Sequence, residues 1–99
     1  MTFTVRFTQD AKNDLVRLYS FLLDKDINAA EKALEAIERG IGLLQYFPFS
    51  CRKATSKTPL LRELLISFGN SGYVVLFEIE ENRTVTVLAV RHQHEDDYL

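Results

Sequence analysis

Residues 60–90, LLRELLISFGNSGYVVLFEIEENRTVTVLAV, decide the fold of this chain. At their centre, YVVLFEI (73–79) is β-branched and aromatic, with no polar residue before Glu78. Such residues favour a pleated, half-buried or buried surface. LLRELLISF (60–68) follows Pro59 and reads as a strand with both faces partly apolar. TVTVLAV (84–90) reads as another strand. GNSG (69–72) and EENR (80–83) lie between these runs as turn signals. Three strands joined by two short turns make an antiparallel meander.

Upstream, TFTVRF (2–7) alternates, with Phe3, Val5 and Phe7 on one face and Thr4 and Arg6 on the other, as in a short half-buried strand. The period then changes. Thr8 is suited to cap a helix and Asp10 lies where the helix dipole favours an anion. Ala11, Leu15, Leu18 and Leu22, with Tyr19 and Leu23, follow at three and four spacing, which predicts an amphipathic helix to about Asp24. DKDIN (24–28) breaks it. Asn28 followed by Glu31 resembles a capping box. A second stripe of Ala30, Ala33, Leu34, Ile37, Ile41 and Leu44 predicts a second helix, ended by Pro48. Gly40 and Gly42 mark a tight packing point or a weak last turn, each costing the helix about 1 kcal/mol relative to Ala. The link between the helices is short, so they form an antiparallel hairpin. The predicted order is β-α-α-β-β-β. A helical hairpin covers one face of a mainly antiparallel sheet, in a two-layer α+β domain spanning residues 1–99.

Ninety-nine residues leave room for one domain, and 46% apolar content is enough to build its core. A net charge of −2 argues against a general nucleic-acid binder, and no sequence-specific contact with nucleic acid is expected. The charge is nevertheless uneven: Arg52, Lys53, Lys57 and Arg62 lie in one stretch without an acid. The single cysteine, Cys51, has no intramolecular partner and no nearby sequence signal of activation. No run approaches the ~20 apolar residues of a membrane span. MTFTVRFTQDA (1–11) lacks a signal-peptide pattern, so a cytoplasmic protein is expected.

Four segments resemble, in order and spacing, the ParE branch of the RelE/ParE (plasmid stabilisation) superfamily of toxins. They are VRFTQDAKNDLVRLYSFL, AAEKALEAIERGIGLLQYFP, LRELLISFGNSGYVVLFEIE and VLAVRHQHEDDYL. The most specific pieces are the LREL…SGYVVLF pair and the closing RHQHEDDY. The resemblance implies the β-α-α-β-β-β fold and the toxin half of a type II toxin–antitoxin pair. Its partner would be a ParD-like or other small antitoxin whose C-terminal segment wraps the toxin. ParE-like members poison DNA gyrase, whereas RelE-like members cut mRNA on the ribosome.

RNA cleavage by 2′-OH attack needs a base, an acid and cations around one phosphate. Arginine cannot be the base. If the chain were a ribonuclease, His92 and His94 would be the acid–base candidates, with Glu63 or Glu95 serving only if their pKa values were raised, and Arg62 and Arg91 would supply the charge. RelE-like nucleases resemble G-x-Y-R-x-x-Y at the strand of Tyr73, and Val74 stands here where that arginine would be. Losing such a cation costs ~10²–10³ in rate. Gyrase inhibition without a catalytic residue is therefore placed ahead of cleavage, and an inactive family member that only binds its antitoxin is the remaining alternative. The expected target-facing set is Arg52, Lys53, Arg62, Arg91, His92 and Glu95. A strand-end ion pair with Glu63 or another carboxylate explains Arg62 equally well.

The strands are apolar on both faces and two helices cover only one. Leu61, Leu65, Val74 and Leu76 are therefore expected to form an antitoxin-facing surface, subject to a one-residue register choice. His92 and His94, with Glu95 or Asp96, offer an incomplete zinc set, so no metal or other cofactor is expected. Tyr98 and Leu99 are expected to pack on the sheet or a partner. Tyr19, Phe21, Tyr46, Phe47 and Phe49 are expected in the core rather than on a base-stacking platform.

Overall fold

A computed structural model describes residues 2–94. Strand β1 (Thr4–Phe7) leads into helix α1 (Gln9–Leu23), then helix α2 (Ile27–Gly42). Two single 3₁₀ turns, Leu43–Gln45 and Pro48–Ser50, precede a two-residue strand β2 (Arg52–Lys53). The meander follows as β3 (Leu61–Phe68), β4 (Ser71–Glu80) and β5 (Thr84–His92). The sheet order is β1-β5-β4-β3-β2, with β1 parallel to β5 and every other pair antiparallel. This is the two-layer α+β architecture expected, with β2 added inside the basic connection. At two residues, β2 is too short to show a period in sequence.

Thr8 caps α1 as expected: its Oγ1 accepts from the Ala11 amide at 3.1 Å. The same hydroxyl faces the Val87 and Leu88 carbonyls, 3.3 Å from each. There β5 carries a bulge: Leu76 pairs with Ala89 but Phe77 pairs with Val87, leaving Leu88 as the extra residue. The bulge lets Val85, Val87 and Val90 all reach the core despite their uneven spacing.

The cap of α2 is Asp26, not Asn28. Its carboxylate accepts from the Asn28 and Ala29 amides at 2.9 and 3.3 Å, so the helix starts earlier than the Asn28–Glu31 pattern suggested. Gly40 is a packing point: a Cβ there would lie 2.7 Å from Ile66 Cδ1. Gly42 has nothing within 4 Å and marks the last residue before the first 3₁₀ turn. Gly72 is more constrained, since a Cβ would fall 2.1 Å from the Ile66 carbonyl oxygen across the β3–β4 hairpin.

The core lies between the helices and one face of the sheet. Ala11, Leu18, Ala33, Ile37 and Ile41 meet Ile66, Tyr73, Val75, Phe77, Val85, Val87 and Val90. Leu44 seals one end. Phe21, Tyr46, Phe47 and Phe49 are exposed, contrary to expectation. Phe21 lies on the outer side of α1. The other three lie beyond α2, which ends at Gly42, so no helix turns them onto the sheet. Phe49 packs edge-on to Phe3 and under the Arg62 guanidinium.

Candidate functional site

The candidate residues fall into three groups. The first lies where β5 ends. Beyond Val87 the outer edge of β5 has no β1 partner, and α1 takes over. Asp14 is buried on the same helical stripe as Ala11 and Leu18. Its Oδ2 accepts the Val90 amide at 2.9 Å and the Arg91 guanidinium at 2.5 Å. Its Oδ1 lies 3.6 Å from Arg17 Nη2. His92, the next residue, is held from another side. The His94 amide donates to its Nδ1 at 3.2 Å, and its Nε2 meets Ser71 Oγ at 3.0 Å. The ring stands edge-on to Tyr73, whose hydroxyl pKa is raised by burial. His92, His94, Ser71, Tyr73 and Arg17 border a groove of about 730 Å³ floored by Leu18, Leu22 and Phe68.

The second group lies at the other end of β3. Arg62 bonds to backbone carbonyls rather than to a carboxylate. Its Nε donates to the Pro59 carbonyl at 2.6 Å, and Nη1 donates to those of Phe49 and Cys51 at 3.1 and 2.9 Å. It fastens the basic connection to the sheet. Arg52, paired across from Glu63, takes that carboxylate at 2.9 Å. Lys53 is exposed beside it. Burial pushes the Cys51 thiol pKa up, and the Arg62 charge only partly offsets this.

Arg62 pairs with Phe77, and His92 with Tyr73. These positions lie four steps apart along β4, about 13 Å at ~3.3 Å per residue. The expected target-facing set is thus divided: Arg91 and His92 at one end, Arg52, Lys53 and Arg62 at the other. Glu95 lies outside the described residues, as do Asp96, Tyr98 and Leu99. The two imidazoles are 5.2 Å apart between centroids, but among the described residues no group of three or more His, Cys, Asp or Glu is placed to hold a metal.

The third group is the helix-free face. Cross-strand pairing puts Leu65 beside Val74, Leu61 beside Glu78 and Glu63 beside Leu76. All four predicted antitoxin-facing residues therefore share that face. Leu65 is 56% exposed and the other three are half-buried. The stripe is narrower than the sequence suggested, because Glu63, Glu78, Arg6, Glu80 and Thr86 share the face. Arg6 binds Glu80 at 3.0 Å, and the Thr86 hydroxyl makes a short hydrogen bond to the same carboxylate. Asp14 was missed from sequence. The available signal was a carboxylate at the i+3 position of an otherwise apolar stripe.

A helical hairpin on one face of a five-stranded mixed sheet, with a parallel N-terminal strand at its edge, is the architecture of the RelE/ParE toxins. The chain belongs to the ParE toxin family of type II toxin–antitoxin (parDE) systems, whose family model matches residues 5–97. Two curated relatives from Caulobacter vibrioides are similar along most of their length. Toxin RelE3 is 33% identical over 86 residues, covering 86% of this chain and 88% of the relative. Toxin RelE1 is 34% identical over 79 residues, covering 80% and 82%. Among solved structures, a chain from the chromosomal ParDE TA system of P. aeruginosa shares the fold. The TM-score is 0.70 at 18% identity, over 91% of this chain and 95% of that one. No helix among the described residues is long and apolar enough to cross a membrane.

Proposed function

We propose that this toxin acts by binding DNA gyrase and holding it after DNA cleavage, and that a cognate antitoxin neutralises it by covering the Leu61, Leu65, Val74 and Leu76 face. The observation that carries the choice of target is the separation of Arg62 and the basic connection from His92. Cleaving a phosphodiester needs base, acid and cations within hydrogen-bond reach of one phosphate. Arg62 commits Nε and Nη1 to three backbone carbonyls, roughly 13 Å along the strands from His92. Val74 occupies the strand position where a nuclease of this superfamily would carry a cation. A binding surface tolerates such a division, because separate patches can contact a large partner.

The antitoxin role of the helix-free face is supported by its exposed Leu65 and by the adjoining sheet edge. β2 covers β3 only as far as Glu63, so a further strand or helix has both a backbone edge and an apolar stripe to engage.

A ribosome-dependent mRNA nuclease is the second reading, favoured by the RelE names of the two curated relatives and by the imidazole of His92. One experiment separates them. Purified toxin is added to gyrase with supercoiled plasmid, and in parallel to ribosomes programmed with message. The proposal expects gyrase-linked linear plasmid and intact message. Cut message that disappears with His92→Ala supports the second reading instead.

A further inference from the structure

The end of β5 is more constrained than a strand end requires. Successive side chains, Arg91 and His92, are each held by groups from other elements: Arg91 by Asp14 of α1, His92 by Ser71 of β4 and by the His94 amide. Satisfying the Val90 amide alone would need only a neutral acceptor. A buried carboxylate there carries a desolvation cost, which two facing guanidinium groups offset. The arrangement reaches beyond closing the sheet edge to the orientation of Arg91, whose side chain remains 21% exposed. Because an arginine has many rotamers, fixing it before contact removes ordering entropy from binding.

We propose that Asp14 is a positioning residue. It locks the Arg91 guanidinium in the orientation with which the toxin grips its target. This rests on the target-facing role given to Arg91 above. It does not depend on the target being gyrase.

Asp14→Asn keeps an oxygen for the Val90 amide but removes the charge that holds Arg91. Toxicity is read as the induced toxin level that halves growth, while circular dichroism and a cooperative melting transition report the fold. The inference expects a folded Asp14→Asn to require at least about tenfold more toxin than the wild type. Asp14→Asn/Arg91→Ala should be no less toxic than Arg91→Ala alone, since the carboxylate acts through the guanidinium. Wild-type toxicity in Asp14→Asn overturns the inference, and so do losses that multiply in the double variant. If Asp14→Asn does not fold, ¹⁵N spectra of the wild type decide: resolved Arg91 Nη signals with slowed rotation support the lock, and Nη signals averaged like those of a free arginine overturn it. Growth arrest without gyrase involvement contradicts the gyrase reading and leaves the lock intact. A wild type inert in every assay overturns both.

Discussion

Asp14, Arg62 and Glu80 show how far a single residue's role departs from its sequence neighbourhood. Arg62 reads as a cation in a basic stretch, yet its guanidinium is a staple for carbonyls of the connection between α2 and β3. Backbone acceptors carry no residue signature, so composition could not foretell them. Glu80 reads as a turn residue. Instead, the Thr86 hydroxyl and, more weakly, Arg6 hold its pKa below the ordinary carboxylate value. The folded chain therefore binds this proton less readily than the unfolded chain. The resulting stabilisation is fully present above the unfolded carboxylate pKa and is lost as pH falls through the lowered folded value. Glu80→Gln should flatten the acid limb of a melting-temperature profile below about pH 4, relative to wild type, with little effect on its slope near neutrality. An acid limb of unchanged steepness in the variant would show that Glu80 contributes nothing to it.

At the scale of elements, residue period carried most of the information. The alternation of 2–7, the stripes of α1 and α2, and the apolar runs of the meander gave the right elements in the right order. What escaped was fixed by contacts distant in sequence. The bulge at Leu88 belongs to the meeting of β4, β5 and Thr8, and strand β2 exists because Arg52 and Lys53 find Glu63 and Arg62. Glycines illustrate the same division. Gly42 has a helical φ of −57° and open space around it. Gly42→Ala should raise stability by about 0.5–1 kcal/mol, because helix propensity acts there without opposition. Gly72→Ala should lower it by about 2–3 kcal/mol or block folding, because the new methyl meets a backbone carbonyl that cannot rotate aside. Denaturant melts of the two variants should move in opposite directions; a shared direction would mean the hairpin relaxes more easily than its contacts imply.

For the whole molecule, the distribution of surface matters more than any one group. The helices shield one sheet face, and the other carries the Leu61, Leu65, Val74 and Leu76 stripe amid charges that keep it from being uniformly apolar. Leu65→Asp should leave the toxin folded, since the side chain is already largely in water. It should weaken antitoxin binding at least about tenfold, the order expected for losing one buried leucine. Val16→Asp, on the solvent side of α1, is the control and should bind as wild type. Calorimetric titration distinguishes the two, and equal affinities for all three proteins would move the antitoxin to another surface.

The separation of Arg52, Lys53 and Arg62 from His92, with Val74 where a nuclease of the superfamily would carry a cation, underlies the view that this toxin disables by gripping rather than by cutting. Mapping nucleic-acid ends in cells after induction tests it most directly. The expected result is gyrase-linked double-strand breaks in DNA with messages of full length. Messages cleaved within codons, on unbroken DNA, would contradict it.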